Sequence, residues 1–409
     1  MINKKPPLTF LLSFGHSGID WLHSLLDSHP QILILPAIDY YLAWKLLEAD
    51  KITNSTDMIN LWCNYINSPE MQGKDTKLFY SEEEFDAFNW KFKKIVNDNS
   101  LDRISMLWAI HTAFAYAKNI QLDKIKNIVL HVHTNLPFNE IIKDFPDPNI
   151  LMIIRDPRAC FAGWFKIFTK KFGDLPDYYS RYVDETFEEW MFGYDILYNH
   201  LYPLGSKALI VKNEDMVENL EKEMRKVAKW MQIDFNESML TSTYPSGLEW
   251  IPDSGYISKE GQYPEKKETY FLPENVKRRW LGELNDQREI LMIEFLTFDI
   301  MKEFGYKPIY KKTLFNKMRA FWYYLLPHRG PKRLKYYKPD KDEFSRIYNR
   351  LNAIGKTNIS YIWKFLPILI KTYSIWCSAV VKHFVIYFFP GDRWRRYDIP
   401  GLEHLYRDY

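Results

Sequence analysis

Four sets of residues have the types and spacing to do chemistry on an anion. Gly15-His16-Ser17-Gly18 is a tight run that can bend backbone amides inward. His131 and His133 stand two apart, so on a strand they share one face. Either one also reads as a satisfied structural histidine. Arg155-Asp156-Pro157-Arg158 follows a run of five apolar residues without a break. An arginine at the end of a buried strand needs an anionic partner, and its fork suits a phosphate, although Asp156 or another carboxylate would also serve. Lys277-Arg278-Arg279 precedes Trp280 and reads either as an anion cover or as a solvated helix face.

The surrounding segments supply elements to position these residues. Leu8–Phe14 is an apolar run of buried-strand length. From Ile19, the residues Trp21, Leu22, Leu25 and Leu26 recur at helical spacing. Strand, small-residue turn and helix together read either as an ordinary strand-to-helix turn or as an anion cradle, since the first-turn amides and the positive end of the helix dipole face the turn. The pattern is not a Walker A motif, since GxxxxGK[ST] is absent. Pro30 ends the helix, and Gln31–Leu35 reads as a second strand. Residues 40–120 read as a helical cap over the sheet edge that shapes an acceptor pocket. Lys126–Pro137 is the third strand and ends in polar residues; Asn149–Arg158 is the fourth, its apolar run stopping at Arg155, and a helix follows from Arg158 to Phe168. Ala208–Asp215 is the fifth strand and runs into a helix at Val217–Met231, with Glu214 or Asp215 able to cap it. Residues 242–270 are a Gly-, Pro-, Ser- and Tyr-rich loop long enough to be a lid or a binding loop, and Asp286–Phe304 is a helix closed by Gly305-Tyr306.

Composition narrows the classes. The chain has 409 residues, is 46% hydrophobic and 17% aromatic, and can therefore bury a sizeable core. Its net charge of +3 argues for no nucleic-acid partner. The charge is unevenly placed: residues 309–409 carry 20 Lys/Arg and 7 Asp/Glu, an excess of +13, which leaves the rest near −10. Cys63, Cys160 and Cys377 have no metal spacing and read as buried thiols in a reducing compartment. Met1-Ile-Asn-Lys-Lys-Pro-Pro runs into the first strand without a signal-peptide pattern, and no apolar run has the length of a membrane span. The expectation is a cytoplasmic protein.

Taken in order, these motifs resemble the sulfotransferases that use 3′-phosphoadenosine 5′-phosphosulfate (PAPS). The matching segments are Gly15-His-Ser-Gly-Ile-Asp-Trp-Leu with Leu25-Leu-Asp-Ser-His-Pro-Gln-Ile32, and Ile153-Ile-Arg-Asp-Pro-Arg-Ala159. Lys212-Asn-Glu-Asp-Met-Val217 looks like the family's YEDL segment. Arg279-Trp280 with Ile293-Glu and Phe304-Gly-Tyr306 looks like its C-terminal helix pair. The likeness spans residues 8–308 and implies an α/β, three-layer fold of the P-loop NTPase-like kind. Its central parallel sheet would have about five strands between helices. Residues 1–308 would be the sulfotransferase-like domain, and 309–409 a basic, aromatic helical extension.

The resemblance also implies roles. Gly15, Ser17, Gly18 and the amides through Asp20 would hold the 5′-phosphate, Trp21 would lie near the adenine, and Arg155 would bind the 3′-phosphate, with Arg279 adding to the donor site. His133 would take the proton from the acceptor hydroxyl. His16 stands where the family has Lys or Arg, the cation that stabilises charge on the bridging oxygen. Ile19 and Asp20 replace two threonines, and Gly163 replaces the serine on the 3′-phosphate. No metal is implied.

Two classes of function follow. One is transfer of a sulfuryl group from PAPS to a hydroxyl of a carbohydrate or lipid-linked glycan. The other is an inactive protein of the same fold, acting as a glycan-binding or membrane-associated module in which Asp20 caps its helix. In the extension, Lys364, Lys371 and Lys382 keep to one helical face within the aromatic segment Tyr361–Phe389. That segment reads either as a helical subdomain packed on the body or as a helix at an anionic membrane surface, where Arg393-Trp-Arg-Arg-Tyr397 would add contacts.

Overall fold

The structure is a computed structural model. It describes residues 6–36, 39–68, 71, 78–97, 101–132, 138–163, 196–243, 280–281, 284, 287–316 and 319–320. The chain forms two compact units, Met1–Ile154 with Leu201–Asp253, and Arg155–His200 with Ser254–Tyr409.

The first unit is built on five parallel strands: β1 (Leu8–Ser13), β2 (Ile32–Ile34), β3 (Asn127–His131), β4 (Asn149–Ile154) and β5 (Ala208–Lys212). Their spatial order is β2-β3-β1-β4-β5. Leu11 of β1 pairs with His131 on one side and Leu151 on the other. All six residues of β1 are buried, as a central strand covered on both faces requires. The chain leaves β1 toward β2 and leaves β4 toward β5. The sheet therefore reverses direction between β1 and β4, and the carboxyl ends of strands at such a point face a ligand crevice.

The described helices of this unit are α1 (Ile19–Leu26), α2 (Tyr40–Leu46), α3 (Ser55–Ile66), α4 (Glu82–Asn97), α5 (Arg103–Ala117), α6 (Phe138–Asp144), α7 (Asn213–Glu218) and α8 (Leu220–Trp230). Asp39, Asn54 and Asp102 cap α2, α3 and α5 by accepting from the amides of Leu42, Asp57 and Ser105. Those bonds satisfy donors that the helices leave open. The expected cap region is thus helical. It holds two aromatic clusters, one with Tyr40 stacked on Trp62 at 5.3 Å and one joining Phe79, Phe88, Phe92 and Phe114.

Several expected boundaries are corrected, beginning with β3, which ends at His131, and β4, which ends at Ile154. The helix placed at Val217–Met231 starts at Asn213 and breaks at Asn219, which accepts from the Lys222 amide and starts α8. Glu214 and Asp215 therefore lie inside the first turn of α7 and are not caps. The helix placed at Asp286–Phe304 is two helices in the second unit, α9 (Gln287–Leu296) and α10 (Phe298–Glu303), which meet at Thr297. Gly305 closes the pair with a φ of +75°, a conformation glycine adopts without a Cβ penalty. Of the cysteines, Cys160 is buried, Cys63 is only half-buried and donates its thiol to Asn89, and Cys377 lies outside the described residues.

In the second unit, residues 157–163 are helical. Arg158 is buried there. It donates to both oxygens of Asp156 and, at 2.7 Å, to Glu294, while its guanidinium stacks on Trp280 at 4.3 Å. Glu294 also accepts from the amides of Ile309 and Tyr310. No helix among the described residues is long and apolar enough to cross a membrane.

Candidate functional site

The turn after β1 is shaped by two left-handed residues, His16 with a φ of +57° and Gly18 with a φ of +100°. Successive residues of opposite hand turn neighbouring amides toward one side, which makes an anion-binding concavity. α1 starts directly from this turn, with Gly18 as its N-cap and no side-chain cap. Leu22 donates to the Gly18 carbonyl at 3.1 Å, so the amides before Leu22 have no acceptor within the helix. The turn is fixed from below. The Asn213 amide donates to the Ser17 carbonyl at 3.0 Å, and a Cβ at Gly18 would come within 2.4 Å of Asn213 Nδ2.

Ser17 lies inside the turn. It is fully buried, and both its amide and its hydroxyl donate to the Phe14 carbonyl. In this conformation its donors close the turn and do not face a bound phosphate. Trp21 is likewise buried. His16 is half-buried, and Gly15 is buried beside it.

Asp20 does not cap α1. Its side chain is 48% exposed, and its Oδ1 lies 3.7 Å from Nε2 of His131, the last residue of β3. His131 Nδ1 in turn lies 2.9 Å from His23 Nδ1, on the next turn of α1. Two ring nitrogens at that distance share a proton, so one donates and the other accepts. Both rings are buried. Burial pushes His23 well below its ordinary range, the nearby His131 ring adds to this, and the Asp20 carboxylate opposes it. His23 is therefore neutral at physiological pH.

His131 also borders a narrow apolar cavity between the helical cap and β3. Its wall includes Tyr40, Trp62, Ile110, Leu130 and His111. His111 is buried and donates from Nδ1 to the Leu107 carbonyl at 2.8 Å, while its Nε2 is sealed from solvent. Burial lowers its pKa to about 4, against a smaller upward effect of that hydrogen bond.

Arg155 directly follows β4 and opens the second unit. Its guanidinium Nε and Nη2 are sealed from solvent. Asp156, the near carboxylate considered as its partner, is taken by Arg158. Gly163 is half-buried at the end of the described helical residues. His133 and Arg279 lie outside the described residues, as do residues 244–270 of the binding loop and the extension from 321 onward. Among the described residues no group of three or more His, Cys, Asp or Glu side chains is placed to hold a metal.

The structure thus joins Asp20 to His131 and adds two residues that sequence reasoning missed, His23 and Asn213. His23 carried a usable signal, since it lies three positions after Asp20 on one helix face. Asn213 carried none, because its contact with the turn spans 196 positions.

A family model described as "Sulfotransferase family" matches residues 7–237. No curated protein matches the chain. Among solved structures, the chain is similar to the sulfotransferase domain from the olefin synthase of Synechococcus PCC 7002, with 16% identity and a TM-score of 0.42 over 75% of this chain and 97% of that one. It is also similar to the sulfotransferase domain from the curacin biosynthetic pathway, with 12% identity and a TM-score of 0.43 over 75% of this chain and 99% of that one.

Proposed function

The chain belongs to the sulfotransferase family, and from that premise we propose that it transfers a sulfuryl group from PAPS to a hydroxyl of a carbohydrate or lipid-linked glycan. The observation that carries the reading is the turn itself. Left-handed His16 and Gly18 lead straight into the uncapped start of α1, which aims backbone donors and the helix dipole at one place. The donor, when bound, supplies a sulfuryl group on a phosphate.

In this reading the amides of Ile19, Asp20 and Trp21 hold the 5′-phosphate, and Arg155 and Arg279 hold the remaining donor charge. His16 stabilises charge that develops on the bridging oxygen, in its protonated form. His133 takes the acceptor's proton. The basic, aromatic segment 309–409 supports an acceptor made at an anionic membrane surface. The backbone of the turn fits the donor; two side chains do not, because the Ser17 donors serve Phe14 and Asp20 is an anion.

Those two side chains favour a second reading, a module of this fold that no longer binds the donor and acts as a glycan-binding or membrane-associated partner. Calorimetric titration with adenosine 3′,5′-bisphosphate (PAP), the desulfated product, separates the two. Saturable binding at one site is expected. No heat at millimolar PAP would remove the donor reading.

A further inference from the structure

An anion bound in the Gly15–Gly18 turn meets a carboxylate in the next turn of chain. Asp20 stands in the first turn of α1, where the helix dipole also favours negative charge. Its side chain is half-exposed and faces inward on His131, at 3.7 Å, and His131 is bonded to His23 at 2.9 Å. Among the described residues, the titratable groups around His131 include Asp20 and His23 from α1, with Tyr40 from α2 and His111 from α5 around the shared cavity.

The histidine pair has an open proton position. Two neutral imidazoles hold two protons on four ring nitrogens, and one of those protons lies in the bond between the Nδ1 atoms. A third proton converts one ring to an imidazolium. On His131 it gives an N–H toward Asp20 and an N–H toward His23 at the same time. His23 then accepts with Nδ1 and keeps its own proton on Nε2. The cluster passes from a net charge of −1 to neutral, with no side chain moved.

We infer that Asp20, His131 and His23 belong to the donor site as a proton-loading cluster, and that an adenosine phosphate bound at the adjacent turn takes up one proton there. The inference rests on the donor reading. It follows by linkage, since a proton that removes a repulsive charge favours the anion, and the anion favours that proton equally. The Asp20 carboxylate, 3.7 Å from His131 Nε2, favours the proton on that ring.

The test is PAP titration by calorimetry in buffers of different ionisation enthalpy, which counts protons taken up. The expected result is uptake of about one proton per PAP, with affinity falling by about tenfold or more between about pH 6 and pH 8. Asp20→Asn keeps the side-chain shape. It should bind PAP more tightly than the parent at about pH 8 and lose the uptake. PAP has phosphate titrations of its own, but they are common to parent and variant and cancel in the comparison. Equal uptake in the parent and Asp20→Asn would overturn the inference and leave the donor reading standing. Absence of PAP binding at every pH would remove both.

Discussion

The Asn213 side-chain amide donates to the Ser17 carbonyl at 3.0 Å and ties the start of α7 to the turn after β1. Both residues are buried, so the bond forms where water cannot replace it. Removing the donor leaves a buried carbonyl without this contact, which costs about 1–3 kcal/mol. Asn213→Ala should lower the unfolding free energy by about that much, read from the urea midpoint at unchanged slope. A loss within measurement error would mean that the turn is held elsewhere.

Gly18 should be less tolerant than its exposure suggests. Its φ is +100°, and a Cβ there would come within 2.4 Å of Asn213 Nδ2. The left-handed backbone alone costs a non-glycine residue about 1–2 kcal/mol, and the contact adds to it. Gly18→Ala should therefore destabilise by about 2 kcal/mol or more. The same substitution in an Asn213→Ala background should cost about 1 kcal/mol less, because the clash is gone while the strain remains. Strict additivity would show that the two residues do not meet.

Stability should fall on mild acidification, through His111. Its pKa is lowered to about 4 in the folded chain from an ordinary 6.5. The unfolded chain therefore binds more protons between those values, and stability rises with pH across that window. Above it the contribution is constant. Between about pH 7 and pH 5 the group removes about 2 kcal/mol of stability. His23 is lowered by the same burial and acts with the same sign. His111→Leu should flatten the acid limb of urea stability by about 2 kcal/mol over that range. An unchanged acid limb would mean that the fold admits the His111 proton.

Much of the site was legible from local pattern. The apolar run ending at Phe14, the small residues after it and the helical spacing from Ile19 placed β1, the turn and α1, because each is set by neighbours in sequence. β4 was legible from its unbroken apolar run. Strand order was not, since pairing Leu11 with both His131 and Leu151 joins distant segments; the resemblance alone implied a parallel sheet. The break at Asn219 had a local signal that was overlooked, an asparagine just before Leu220 in the N-cap position. The tie from Asn213 and the closure of Ser17 onto Phe14 are tertiary choices that side-chain type does not announce.

In the second unit, Glu294 should be the most damaging single polar loss. It is fully buried and accepts from Arg158 at 2.7 Å and from the amides of Ile309 and Tyr310 at 2.7 and 2.9 Å. Arg158 stays buried when Glu294 is removed, with Asp156 as its remaining carboxylate. Breaking a buried pair from one side costs about 3–5 kcal/mol, because the other charge remains desolvated. Glu294→Ala should lie in that range by chemical denaturation. Glu294→Gln keeps one acceptor oxygen and should recover part of the loss.

The charge at Asp20 gives the most direct reading of the donor turn. A carboxylate about 4 Å from a bound anion repels it by roughly 1–4 kcal/mol at effective dielectrics of about 80–20. The Asp20 side chain is 48% exposed, so the lower half of that range applies. Asp20→Thr removes the charge and adds a hydroxyl donor. It should tighten PAP at neutral pH by about tenfold. Salt should shrink the difference, since the screening length falls from about 10 Å at 0.1 M to about 3 Å at 1 M. The control is thermal stability without ligand, because Asp20→Thr also deprives His131 of its carboxylate neighbour. A tightening that persists undiminished at high salt would assign the gain to the new hydroxyl and not to the lost charge. A weakening in a stably folded variant would show that the carboxylate itself orients the bound nucleotide, and the electrostatic account of the turn would have to be abandoned.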